Sequence, residues 1–157
     1  MLLYKSTNNG QTFVLYSTAV PGTGGAGEDK EWIFCDPVTT NTTYNNIFIS
    51  WTSFGPAQGI KFRKSTNAGL NWSSTVNVGD NTSGQGSNIC SGTNNLIYMV
   101  WASNGIKFDK STNGGTTWSA PIRVNDDAAG KEQFFTWLTI DRVTGSSHIE
   151  IAGSVIG

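Results

Sequence analysis

The residues of this chain best suited to chemistry are grouped carboxylates. Glu28, Asp29 and Glu31 fall within four positions, interrupted by Lys30. Farther on stand Asp80 with Asn81 and Gln85, then Asp126 and Asp127 with Lys131 and Glu132. Such groups can hold a hydroxylated ligand by hydrogen bonds, or Ca²⁺, a hard cation that takes oxygen ligands. They also make an ordinary solvated loop. The echo of Lys30-Glu31 in Lys131-Glu132, each ahead of an aromatic stretch, reads as a repeated structural pairing and argues against a unique catalytic role. Phe54 and Gln58 flank Gly55-Pro56-Ala57 in a further turn-like connection. Other chemistries lack parts. His148 is the single histidine, so a Ser-His-Asp triad or a His-rich zinc site cannot be assembled. No glycine-rich phosphate loop ends in Lys-Ser/Thr. No cofactor is expected, and Ca²⁺ is the one metal these residues suggest.

The elements that must position these groups are announced by an octapeptide that occurs three times. Its copies begin at Ser6, Ser65 and Ser111, each preceded by lysine, with intervals of 59 and 46 residues. The shared pattern is S-T-N-x-G-x-[TN]-[WF]: Ser6, Asn8, Gly10 and Phe13; Ser65, Asn67, Gly69 and Trp72; Ser111, Asn113, Gly115 and Trp118. Ser and Asn side chains bond nearby backbone groups and hold a tight turn. The glycine permits a positive φ, and the closing aromatic re-enters a strand. Ahead of the turns, Ile60-Lys61-Phe62 and Ile106-Lys107-Phe108 alternate apolar with polar, the period of a half-buried strand.

The three octapeptides resemble the Asp-box, or BNR repeat, of sialidase-like β-propellers, whose pattern is S-x-D-x-G-x-T-W. Asn8, Asn67 and Asn113 stand where that family usually has Asp; they keep the acceptor oxygen and lose the charge. The resemblance implies an all-β propeller of four-stranded antiparallel blades, with each box a structural device between third and fourth strands. Periods of ~40–50 residues fit this architecture. The expected layout is a half-blade over 1–20, blades over 30–78 and 86–124, and a half-blade over 134–155. The first strands fall near Trp32–Cys35, Asn88–Cys90 and Phe134–Ile140, and the fourth strands at Asn71–Val78 and Thr117–Val124. Trp51 and Trp101 end the second strands and mark one packing site twice. Two explanations of the half-blades stand. The chain is an excerpt of a longer propeller of about six blades, or two copies pair head to tail so that each completes the other.

The same resemblance implies secretion and glycan recognition or processing, the ligand lying on the face opposite the boxes. That face is built from 22–31, 54–58, 79–87 and 125–133, so the ligand candidates are Glu28, Asp29, Glu31, Phe54, Gln58, Asp80, Gln85, Asp126, Asp127 and Glu132. Loops on a rigid scaffold are where binding residues concentrate. Sialidase catalysis, by resemblance, needs three arginines on a substrate carboxylate, a Tyr–Glu nucleophile pair and an Asp acid/base. Arg63, Arg123 and Arg142 are ill placed for it, and Pro121-Ile122-Arg123 reverses the family's Arg-Ile-Pro order. A retaining glycosidase needs two carboxyl groups ~5 Å apart, and no such pair can be nominated. No catalytic residue is assigned. The alternative is a non-catalytic structural or adhesive extracellular module.

Composition sets the remaining bounds. Only 13% of residues are charged and the net charge is −1, which excludes electrostatic capture of nucleic acid. No apolar run is long enough to span a bilayer as a helix. Repeat alignment sets Cys35 and Cys90 at matching places, each read as a small buried hydrophobe, with Ile140 in the third repeat. Glycosylation-type triplets at Asn41, Asn71 and Asn81 are expected by chance in so Asn- and Thr-rich a chain.

Overall fold

A computed structural model of the chain describes residues 1–21, 27–54, 58–79, 84–127, 132–141 and 149–156. Among them the fold is all-β and every strand pairing is antiparallel. Strands β1 (Leu2–Lys5) and β2 (Val14–Thr18) form a two-stranded sheet. Strands β3 (Glu28–Cys35), β4 (Ile47–Ser53), β5 (Gly59–Ser65) and β6 (Val76–Val78) follow as a four-stranded sheet in chain order. A second such sheet holds β7 (Gln85–Ser91), β8 (Ile97–Ala102), β9 (Ile106–Ser111) and β10 (Ile122–Arg123). Strands β11 (Glu132–Ile140) and β12 (Ile149–Ile156) make the last two-stranded sheet.

Strand alternation sends successive side chains to opposite faces, and the central strands are apolar on both because each face meets another sheet. Ile49 and Trp51 of β4 pack with Ala19, Val20 and Met1 on the β1–β2 side. Phe48 of β4, with Ile60 and Phe62 of β5, packs against Ile89, Ile97, Met99 and Trp101 of the next sheet. Tyr98 and Val100 of β8, with Cys90, pack against Leu138 and Ile151 of the last. Trp51 and Trp101 therefore occupy equivalent sites, each in the seam with the preceding sheet and each 2% exposed.

The octapeptides are hairpin turns of one design. In each, the serine hydroxyl accepts the glycine amide and donates to the asparagine Oδ1: Ser6 to Gly10 and Asn8, Ser65 to Gly69 and Asn67, Ser111 to Gly115 and Asn113. The asparagine Oδ1 then accepts the amide of Thr12, Asn71 or Thr117. A neutral amide thus holds the turn. The second and third turns also dock on the preceding sheet. Ser17 donates to the Gly69 carbonyl, Lys64 Nζ donates to the Gly114 carbonyl at 2.7 Å, and Trp118 meets Phe62 edge-on at 5.3 Å.

At Gly115 the φ is +80° and a Cβ would stand 2.3 Å from the Phe62 ring. Gly115→Ala combines a left-handed backbone with overpacking and is expected to cost ~2–3 kcal/mol. Gly86, at φ +66°, has open space around its Cβ position. Gly86→Ala then bears the backbone term alone, ~1 kcal/mol. Chemical denaturation of the two variants measures the difference.

Two expectations are corrected by the register. The fourth strands do not begin at Asn71 and Thr117. They are confined to Val76–Val78 and Ile122–Arg123, because the segments after the turns bond singly, Ser73 N to the Lys64 carbonyl and Ser119 N to that of Lys110, and Pro121 has no amide to donate. The cysteines are not equivalent. Cys35 pairs with Ile47 and Ser91 with Ile97, so Ser91 is the counterpart of Cys35 while Cys90 matches Phe34. The one-residue offset reverses the face: Cys90 is buried and Cys35 is exposed.

Candidate functional site

Strands β3, β7 and β11 are each bulged at the same place. The ladder shifts between Asp29 and Trp32 in β3, between Gln85 and Asn88 in β7, and between Phe134 and Trp137 in β11. The first of the two residues inside each bulge is left-handed: Lys30 at φ 54°, Gly86 at 66° and Phe135 at 54°. Glycine adopts that conformation freely. A lysine and above all a phenylalanine do so at a cost of ~1–2 kcal/mol. Bulges re-aim side chains and gather beside functional sites.

Two of the re-aimed side chains meet. Lys30 Nζ lies over the Phe135 ring, 4.4 Å from its centroid, and the ring remains 62% exposed. Phe134 packs edge-on against Phe135 at 4.9 Å. One step along the strands, Trp32 and Trp137 meet in a T-shape at 5.0 Å, with 58% of Trp137 exposed. On the same strands Asp29 and Glu31 of β3 and Gln85 of β7 are exposed.

The expected ligand residues divide against this geometry. Glu28, Asp29 and Glu31 do not stand in a connecting loop. They lie in β3, held there by pairing of Glu28 with Ser53 and Asp29 with Thr52. Glu28 is half-buried, and its charge acts on Lys61, whose own ammonium donates to the Gln58 carbonyl and Asn77 Oδ1. Burial pulls the Lys61 pKa below its ordinary value, with Glu28 opposing. Gln58 thus supplies backbone to a structural lysine. Phe54 is 48% exposed and is tied to the start of β3 by its amide to the Gly27 carbonyl. Asp127 is structural: its Oδ2 accepts from Asn125 and from Gln133 at the head of β11. Asp126 is exposed beside it. Asp80 and Lys131 lie outside the described residues, as do parts of the expected ligand face, at 22–26, 55–57, 80–83 and 128–131. The backbone of Glu132 opens β11 opposite Ile156. The Lys-Glu echo does not hold in register, for the counterpart of Lys30 is Phe135. Among the described residues no three His, Cys, Asp or Glu side chains converge to hold a metal ion.

The arginines that sialidase chemistry would use serve the framework. Arg63 Nη1 donates to the Ala19 carbonyl at 2.7 Å and Nε to Thr75, and Arg123 donates to the Asp127 carbonyl and Asn125. Arg142 lies outside the described residues.

At the other end of β3 and β7 a polar cluster joins two sheets. Asp36, fully buried, accepts hydrogen bonds from Ser91 and Thr43 at 2.6 Å, from the Val38 amide at 3.0 Å and from Asn41 at 3.1 Å. Asn41 Nδ2 also donates to the Gly92 carbonyl and its Oδ1 accepts the Asn95 amide. The Asn41 triplet is therefore a structural one: its amide is buried and engaged.

No family model matches the chain, and no curated protein matches it. Among solved structures it is similar to the crystal structure of a protein of unknown function from Dyadobacter fermentans DSM 18053, with a TM-score of 0.64 and 12% identity over 98% of this chain. That likeness is one of fold. This chain spans 44% of the length of that one.

Proposed function

We propose that this chain is a sialidase-like propeller segment of extracellular type that binds glycans at the mouth of its innermost strands and does not cleave them. Phe135 carries the reading. A large ring kept 62% exposed at a strained left-handed position is held by Phe134 and the Lys30 ammonium rather than by a core, and strain of this kind is retained where the surroundings use it. The apolar face of a pyranose stacks on such a ring, with Trp137 as a second platform. Asp29, Glu31 and Gln85 accept or donate hydrogen bonds to hydroxyls, and Lys30 adds a cation for an acidic substituent. The engagement of Arg63 and Arg123 in the framework supports binding without hydrolysis.

The test uses a panel of immobilised sialylated and neutral oligosaccharides with Phe135→Gly as the variant. Phe135→Gly is expected to weaken binding at least ~10-fold. Its stability is expected to be unchanged or raised by up to ~1 kcal/mol, since glycine relieves the strain. No wild-type binding to any sugar sinks the reading in favour of a structural or adhesive module. That second reading is favoured by the exposed apolar face of β1–β2.

A further inference from the structure

The β1–β2 sheet is bare on the side that every other turn-bearing sheet covers. The glycine of the second octapeptide sits against Leu3, and that of the third against Phe62. The glycine of the first, Gly10, has nothing within 4 Å of its Cβ position. Phe13, the counterpart of Trp72 and Trp118, is 63% exposed, and Leu2, Tyr4 and Leu15 are 55%, 54% and 58% exposed. A complementary vacancy exists elsewhere. Phe108 of β9 is the counterpart of Phe62, yet it is only half-buried while Phe62 is fully covered by the third turn. Lys110, the counterpart of Lys64, is exposed, whereas Lys64 is bonded to a neighbouring turn. Among the described residues, β1 and β12 each also present one edge with no partner strand.

We propose that a second copy of this chain fills both vacancies: β12 of one copy pairs antiparallel with β1 of the other, and the reverse pairing closes the dimer. The chain holds the template for this ladder. Ile47 pairs with Ser65 and Phe48 with Lys64 in β4–β5, and Ile97 with Ser111 and Tyr98 with Lys110 in β8–β9. The β11–β12 register makes Ile149 the counterpart of Ile47 and Ile97, and Glu150 that of Phe48 and Tyr98. Transferred to β12 and β1, the register sets Ile149 opposite Ser6 and Glu150 opposite Lys5. An aromatic in the two internal ladders is thus replaced by a carboxylate where the ladder would join two copies, and its partner is a lysine. Opposite charges directly across an antiparallel pair stabilise it.

The same placement lays the first octapeptide on the other copy's β9. Gly10 and Phe13 then cover Phe108 as Gly115 and Trp118 cover Phe62, and Lys110 reaches the Asn9 carbonyl as Lys64 reaches that of Gly114. Two equivalent contacts related by a two-fold axis close on themselves and leave neither β1 nor β12 with an unpaired edge. The inference stands on internal register and is independent of glycan binding.

Light scattering on a size-exclusion column, at micromolar concentration, tests it. A mass of twice 16.8 kDa is expected. Lys5→Glu puts like charges opposite at two symmetric sites and is expected to raise the dissociation constant ~10-fold or more. Lys5→Glu with Glu150→Lys is expected to restore it. Phe13→Ser is expected to raise it ~100-fold with no loss of strand circular dichroism. A monomeric wild type would overturn the proposal and leave the edges to a different segment. So would a polydisperse or larger assembly, or a dimer indifferent to Phe13→Ser and to both charge variants.

Discussion

Trp101→Ala is expected to destabilise the fold by ~3–5 kcal/mol, the cost of deleting a large aromatic from a packed core that cannot collapse around the gap. The indole is 2% exposed and lies in the seam between the two four-stranded sheets, with Ile60, Val78 and Ile89 in the same cluster. Two glycines are shaped to it. A Cβ at Gly79 would stand 2.8 Å from Trp101 Cζ2, and one at Gly84 would stand 2.6 Å from its Cδ1. The main chain on either side of the 80–83 connection therefore lies directly on the ring. Removing the ring takes away the surface on which Gly79 and Gly84 lie as well as the seam. Trp51 is an internal comparison. It fills the equivalent place, but the sheet it packs against has two strands instead of four. Trp51→Ala is expected to cost less. Urea denaturation of both variants gives the order, and a Trp51→Ala loss equal to or above that of Trp101→Ala would refute it.

The strands, their antiparallel pairing and the paired tryptophans were legible in the sequence for one physical reason. Alternation has a period of two, and three copies of one turn fix where each third strand ends. That logic fails where a strand gains a residue. The bulges in β3, β7 and β11 break the period, so a row of acids at Glu28–Glu31 reads as a loop although it is strand. Cys35 and Cys90 align by residue type, yet the ladder gives Cys35 the counterpart Ser91, and the two cysteines face opposite ways. Phe135 was missed because nothing in its identity announces a positive φ; glycine at the equivalent Gly86 was the one available signal. Of the ligand candidates, Asp29, Glu31 and Gln85 are exposed, while Asp127 and the Gln58 carbonyl are engaged in the framework. The fold also explains why Asn suffices to hold the octapeptide turns. The contacts made there accept backbone amides, and an amide oxygen accepts as a carboxylate does.

Asp36→Ala is expected to cost ~3–5 kcal/mol at neutral pH, the range for breaking a buried, hydrogen-bonded charged group from one side. Four donors, from Ser91, Thr43, Asn41 and the Val38 amide, lose their acceptor together, and two of these residues, Asn41 and Ser91, tie adjacent sheets. The loss should depend on pH in a definite direction. Burial pushes the Asp36 carboxyl up, but the hydrogen bonds from Ser91, Thr43, Val38 and Asn41 outweigh it and hold its pKa below the ordinary value. A carboxylate whose folded-state pKa is depressed contributes stability that is present above the unfolded-state pKa and is lost as pH falls through the folded value. The gap between wild type and Asp36→Ala is therefore expected to be constant near neutrality and to narrow below pH ~4, where the wild type begins to lose what the variant never had. Asp109 works against this trend. It is fully buried, and burial raises its pKa despite hydrogen bonds from Ser119 and the Lys110 amide. Its favourable contribution lies below the ordinary carboxylate range and is lost as pH rises through its folded value. Asp36 and Asp109 thus act in opposite directions on acidification, and the Asp36→Ala background keeps only the second. In that background the contribution of Asp109 should rise on mild acidification. A variant whose stability fell with pH as steeply as the wild type's would show that Asp36 is not the group whose protonation opens the sheets.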